Sequence, residues 1–214
     1  MAKAQVKTRK RVADHGEVFT NAREVNAMLD LVKDQCDRLE ATFLEPACGD
    51  GNFLIEILNR KLLLLSRYKR NADLYNPKLI VAVSSIYGVE LLEDNAKDCR
   101  KRLYNRVVEA YPKYLKSSKE YPELLKTIDF ILKKNIICGN ALDYTKADGS
   151  PIIFYQWQFI NTVKVKIRCF DFEVVAQSSK QTTMFDEYNQ PQQISTHNQE
   201  FKPIHYLKLY TYAD

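Results

Sequence analysis

Apolar positions along the chain switch between a helical and a strand-like spacing. Val25, Met28, Leu29 and Val32 share one helix face, and Asn21, with Glu24 three residues on, supplies a capping signal in front of them. Thr42-Phe43-Leu44 is short and apolar, as a buried strand is, and residues 53–67 are dense enough in apolar side chains for a helix lying on a sheet. A polar stretch, 69–78, gives way to the apolar run 79–89, which has room for a short helical turn before the strand Ile86-Tyr87-Gly88-Val89 ends at Glu90. Leu92, Ala96, Cys99, Leu103, Val107 and Ala110 then recur at helical spacing, and Leu124, Leu125, Ile128, Ile131 and Leu132 repeat the pattern within 121–134. Asn135-Ile136-Ile137-Cys138 reads as a third short strand, stopped by Gly139-Asn140.

The character changes after Tyr144. Asp148-Gly149-Ser150-Pro151 is a turn, Ile152-Ile153-Phe154-Tyr155 a fourth strand, and Val163, Val165 and Ile167 alternate with Lys164, Lys166 and Arg168 as in an antiparallel edge or hairpin. From Gln177 onward Gln, Ser, Thr and Asn dominate, and a partly disordered tail is expected until Phe201. Strands alternating with helices predict an α/β fold with a mainly parallel sheet, whose ligands bind beyond the carboxyl ends of the strands. Glu45, Glu90 and Asn140 all fall on that edge.

At 214 residues and 45% apolar content the chain holds one domain with at most an appendage. No run approaches the roughly 18 apolar residues of a membrane span, and Met1-Ala2-Lys3 leads into charged sequence, so no membrane contact and a cytoplasmic location are expected. The five cysteines are scattered without a metal-binding or disulfide spacing, so no metal is expected. Net charge is +5, with Lys3, Lys7, Arg9, Lys10 and Arg11 ahead of the first acidic side chain. That arm suits a phosphate backbone, and a solvated terminus accounts for it equally well.

The chemistry concentrates in Glu45-Pro46-Ala47-Cys48-Gly49-Asp50-Gly51-Asn52-Phe53, between the first strand and its helix. Two glycines one residue apart let the chain turn sharply and bring bare backbone N–H groups against a ligand. With His15-Gly16-Glu17-Val18-Phe19-Thr20 before it, Gly88-Val89-Glu90 after it and Gly139-Asn140-Ala141-Leu142 last, the order resembles the S-adenosylmethionine half of adenine-specific DNA methyltransferases of restriction-modification systems. The likeness covers roughly residues 10–145. It implies a Rossmann-like class I methyltransferase fold, incomplete at its C-terminal side, with S-adenosyl-L-methionine as cofactor. It further implies that Gly16, Phe19 and Thr20 approach the methionine end and that Glu45, Pro46, Ala47, Cys48 and Gly49 line the centre. Glu90, beside Leu91, would accept both ribose hydroxyls, and Asn140 and Ala141 would face the adenine.

The sequence departs from that family where its reaction lies. The Asn/Asp-Pro-Pro-Tyr/Phe element that orients the target amine is missing, since the chain has no Pro-Pro, and Asn76-Pro77 falls between the wrong landmarks. At the expected place stand Tyr155, Gln156 and Trp157, which could stack on a base and accept from an amine, or simply pack a strand. Family members also continue through more strands and a target-recognition region. The resemblance therefore implies a cofactor-binding subunit of a DNA adenine-N6 methyltransferase, in a restriction-modification or phage-defence system. A second protein chain would supply the catalytic and target-recognition parts on double-stranded DNA. The alternatives are a non-catalytic cofactor-sensing or scaffold module, and a complete methyltransferase acting on RNA or protein. The expected organisation is a basic, cofactor-contacting arm at 1–20, a methyltransferase-like domain at 21–160 and a β-rich or partly disordered extension at 161–214.

Overall fold

A computed structural model describes residues 8–15, 17–18, 20–178 and 201–212. Lys3, Lys7, Gly16, Phe19 and residues 179–200 of the polar tail expected to be partly disordered lie outside the described residues. Helix α1 spans Arg9–His15 and α2 spans Ala22–Asp30. The predicted cap of α2 is present: the Asn21 side chain accepts the Glu24 N–H at 3.0 Å. Its buried face is narrower than the periodicity implies, being Val25 and Leu29 with Met28 exposed. One turn, α3 (Lys33–Cys36), follows.

Three strands, β1 (Phe43–Glu45), β2 (Ile86–Glu90) and β3 (Ile136–Cys138), form a parallel sheet in the order β1-β2-β3. Phe43 lies opposite Ile86, and Gly88 opposite Ile136. Each crossover contains two helices: α4 (Asn52–Leu64) and α5 (Ala72–Ser84) before β2, then α6 (Glu93–Ala110) and α7 (Tyr121–Asn135) before β3. Every residue of β2 is buried, which is why its sequence is an uninterrupted apolar run up to Glu90. The fold is thus a mixed α/β arrangement with helices flanking a parallel sheet.

Helix α5 corrects the reading of 69–78 as a polar break. Asn71 caps it by accepting the Leu74 N–H at 3.3 Å, and Pro77 sits inside it. Pro77 removes one backbone donor inside the helix, and burial of the apolar Tyr75, Leu79 and Ile80 around it offsets that cost. Asn76 is tolerated because Tyr111 Oη donates to its Oδ1 at 2.9 Å and its Nδ2 donates to Glu120 Oε2 at 3.4 Å.

The fourth strand also differs. β4 (Ile153–Phe159) does not extend the parallel sheet; it pairs antiparallel with β5 (Lys164–Asp171), onto which β6 (Ile204–His205) adds. A tight turn makes that pairing local, with Asn161 Oδ1 accepting the Val163 and Lys164 N–H groups at 3.0 and 2.8 Å. The hairpin docks on the face of the parallel sheet: Tyr87 Oη donates to Tyr155 O at 2.7 Å and its ring meets Phe154 edge-on. The boundary expected at 160/161 falls in this turn, and Val165 and Ile167 lie in the same buried apolar cluster as residues of the parallel sheet. Helix α8 (Phe172–Ser178) follows, and the 3₁₀ segment Tyr206–Thr211 lies along α7, where Thr127 Oγ1 donates to Tyr206 O at 3.0 Å.

One fully buried cation fixes the entry to β1. Lys61, on α4, donates to the carbonyls of Arg38, Leu39 and Ala41 at 3.1, 2.7 and 2.8 Å, using all three ammonium hydrogens. Burial pulls its pKa down to about 7, with the nearby Glu40 carboxylate working the other way. Lys61→Met would strip three carbonyls, that of Ala41 buried, of their donor and should lower the unfolding free energy by about 3 kcal/mol. Denaturant titration followed by circular dichroism checks this, and an unchanged midpoint would show the clamp to be dispensable.

Candidate functional site

The site is assembled at the carboxyl end of the parallel sheet. After Glu45 the chain crosses to β2, where Cys48 N–H bonds Val89 O at 2.9 Å, and Gly51 N–H closes the turn on Cys48 O at 2.8 Å. Gly49 and Gly51 have φ of 55° and 91°, in the left-handed region that favours glycine. At Gly51 a Cβ would lie 2.7 Å from Cys99 Sγ, and at Gly88 2.8 Å from Cys48 Sγ, so these glycines let β2, α4 and α6 close around the turn. Arg102 anchors it from α6, with Nη1 at 2.7 Å from Asp50 Oδ1 and Nη2 donating to Asn52 Oδ1 at 3.0 Å.

Glu90, only 8% exposed, joins the landmarks. Its Oε2 accepts the Gly49 N–H at 2.8 Å, and its Oε1 accepts from Leu92 N at 3.0 Å and Asn95 Nδ2 at 3.3 Å. Its backbone carbonyl takes the Gly139 N–H at 2.9 Å. A carboxylate offers about four acceptor positions. Three are taken, so a diol bonding Glu90 through both hydroxyls must replace one of these donors.

Glu45 has a different environment. Its carboxylate accepts the Ala47 N–H at 3.4 Å, and burial pushes the carboxyl above the usual carboxylate range. Pro46, Ala47 and Leu91 are exposed at the mouth of this corner, while Cys48 is buried beneath it. Thr20 is held against α4, its carbonyl accepting from Asn52 Nδ2 at 2.9 Å; Gly16 and Phe19 lie outside the described residues. Asn140 spends its polar groups locally: its N–H bonds Thr145 O, its Oδ1 accepts the Leu142 N–H and its Nδ2 donates to Asp143. Ala141 beside it is half-buried.

Tyr155, Gln156 and Trp157 are not brought to this corner. Trp157 Nε1 donates to Asn135 Oδ1 at 2.9 Å, and Asn135 Nδ2 in turn holds Ser84 O and Ile86 O, each at 3.0 Å. Trp157 is therefore tied to the first residue of β2, about 13 Å along the strand from Glu90. Tyr155 stacks on Trp157, and Gln156 lines a cavity with Thr42 and Ser84. Their expected role as a base-binding group gives way to one of seating the hairpin.

Sequence reasoning missed a charged cluster next to Glu90. Asn95 Nδ2 also donates to Glu17 Oε1 at 2.5 Å, and Arg11 joins Glu17 and Asp94, each at 2.6 Å. The N-terminal segment is thereby buckled onto the start of α6. The one available signal was Asn95 itself, a polar residue beside Ala96 on the inward side of α6 and almost fully buried. Among the described residues no group of three or more His, Cys, Asp or Glu could hold a metal ion, and no helix is long and apolar enough to cross a membrane.

No family model matches the chain, and no solved structure does. In sequence it is similar to the "Putative type II restriction enzyme and methyltransferase RM.MjaORFECS2P" of Methanocaldococcus jannaschii, at 28% identity over 113 residues. The match takes in 51% of this chain and 9% of that protein, so the chain spans less than a tenth of the relative's length. The relation is to a restriction-modification methyltransferase, and the α/β architecture is compatible with a methyltransferase-like fold.

Gly51→Ala should lower stability by about 2–4 kcal/mol, combining a left-handed φ with overpacking against Cys99. Gly149→Ala, also at positive φ but facing open space, should cost only about 1–2 kcal/mol. Thermal melting of the two variants compares them, and equal losses would refute the close packing at the corner.

Proposed function

We propose that this chain is the S-adenosylmethionine-binding subunit of a DNA adenine-N6 methyltransferase of a restriction-modification or phage-defence system. The observation that carries the reading is the convergence of the Gly49 turn and Gly139 on Glu90, at the carboxyl edge where α/β sheets bind ligands. The sequence relation to a restriction enzyme and methyltransferase supports the same reading. A Rossmann-like class I fold, action in the cytoplasm and double-stranded DNA as the eventual substrate belong to this proposal.

The donor set fits the cofactor. Glu45 is a partly desolvated carboxylate without a salt bridge among the described residues, which suits a cationic ligand. Exposed Ala47 and Leu91 supply a backbone donor and an apolar flank, and the remaining acceptor position of Glu90 suits a hydroxyl. When bound, S-adenosylmethionine supplies a methyl group activated by its sulfonium centre. This chain's part is to hold the ligand's charge beside Glu45, fix its orientation through Glu90 and keep water off its apolar flank at Leu91. The catalytic Asn-Pro-Pro-Tyr element and the target recognition come from a second chain, since Tyr155, Gln156 and Trp157 are committed to the hairpin. That commitment also favours, as a second reading, a cofactor-binding module without transferase activity.

Isothermal titration with S-adenosylmethionine tests the shared premise. Radioactive methyl transfer to unmethylated DNA, by the chain alone and with the product of its adjacent gene, separates the readings. Transfer only in the mixture supports the split enzyme, transfer by the chain alone overturns it, and binding without transfer in either favours the module. Glu90→Ala should weaken binding by about 1–3 kcal/mol, as expected for charge-assisted hydrogen bonds. Affinity should also follow the titration of Glu45. Its pKa is raised without ligand, and a neighbouring cation favours the ionised form. Affinity therefore climbs as pH rises through that pKa and levels off above it. Titrations at about pH 5 and about pH 8 check the sign, and Glu45→Gln should flatten the dependence.

A further inference from the structure

We infer that the outer edge of β1 is a docking seam for a parallel, apolar β-strand of a second protein chain, an inference that rests on the split-enzyme reading above. The hydrogen-bond register defines the edge. Phe43 N–H bonds Ser85 O at 2.9 Å, and Phe43 and Glu45 lie opposite Ile86 and Gly88, so these two residues turn their backbone groups toward β2. Thr42 and Leu44, between and before them, direct theirs to the other side, where no strand lies among the described residues. A parallel strand half-buried on both faces is normally an interior strand. The segment is short and ends at Pro46, but it carries no charge to repel a partner, Thr42, Phe43 and Leu44 being uncharged, and no bulge twists it away.

Three further features identify the occupant. The strand order steps from β1 to β3 in one direction only, whereas doubly wound sheets form their ligand crevice where the order reverses, with a strand on the far side of the first. Pro46 lacks an N–H, so the row of donors ends at Leu44 and an incoming parallel strand is released beside the Glu45–Gly49 turn. Only the parallel direction delivers that strand's carboxyl end to the sheet edge that carries Glu45 and Glu90. Finally, Leu44 lies opposite Tyr87 and shares its face, and a cavity of about 290 Å³ lined by Thr42, Tyr87, Gln156, Phe159 and Phe170 opens at the start of β1. The partner strand is accordingly β-branched or aromatic on both faces, with one large side chain seated in that cavity.

The full chain, co-expressed with the product of its adjacent gene, carries the test. In the purified complex, exchange of the Leu44 amide hydrogen should slow by about tenfold or more relative to the chain alone. Leu44→Pro removes the outward donor while leaving the Phe43 and Glu45 bonds to β2, and should cut the recovered complex by about tenfold with circular dichroism and S-adenosylmethionine titration unchanged. If the variant melts, the exchange measurement on the unaltered chain decides alone. An unprotected Leu44 amide in the complex, full recovery with a folded Leu44→Pro, no complex at all, or protection that grows with the chain's own concentration would each overturn the seam, the last pointing to a second copy instead. Failure of cofactor binding with Leu44 protected would instead remove the functional reading and leave the docking edge standing.

Discussion

The carboxylate of Glu90 is the contact on which the carboxyl end of the sheet depends. Taken out of water, a carboxylate is costly unless hydrogen-bond donors replace its hydration. Here the replacements come from the glycine turn after β1, from the Leu92 N–H just ahead of α6, and from the side-chain amide of Asn95 in the first turn of that helix. The main-chain carbonyl of the same residue receives Gly139, so the ends of all three parallel strands meet at one amino acid. The glycines follow from this crowding, because side chains at 51 or 88 would occupy the space of Cys99 or Cys48.

The molecule divides its polar groups by location. At the carboxyl end stand acids with acceptor capacity, one desolvated and the other nearly saturated by N–H donors. Toward the opposite end, buried polar groups are engaged with one another: Lys61 with three carbonyls, Asn135 with Trp157 and two carbonyls, Asn76 with Tyr111. Satisfied networks of this kind rigidify and specify packing. They account for the hairpin being held firmly at a distance from the corner, as the bond from Tyr87 to Tyr155 illustrates.

What the sequence made legible was local. The Asn21 cap, the strands at 43–45, 86–90 and 136–138 and the helices α6 and α7 follow from spacing and turn chemistry within one element. Helix α5 was hidden because Asn76 and Pro77 look like loop residues until Tyr111 and Glu120 are placed beside them. The hairpin's strands were visible, but their assignment to a second sheet rests on contacts such as Tyr87 with Tyr155, 68 residues apart. The same holds for the candidate site. Glycine and acid landmarks could be read in order, whereas the pairings of Arg11 with Asp94 and Asn95 with Glu17 span 83 and 78 residues and leave no periodic trace.

Asn95 has a consequence for how the molecule responds as a whole. Its one amide nitrogen, with two hydrogens, serves Glu17 on the N-terminal segment and Glu90 on the sheet together. A group that draws Glu90 away from this amide leaves Asn95 free to lean toward Glu17, and one that draws the segment away leaves it free to lean toward Glu90. The leading arm and the strand-end acid thus share a reciprocal free energy: whatever tightens one must shift the other by the same amount.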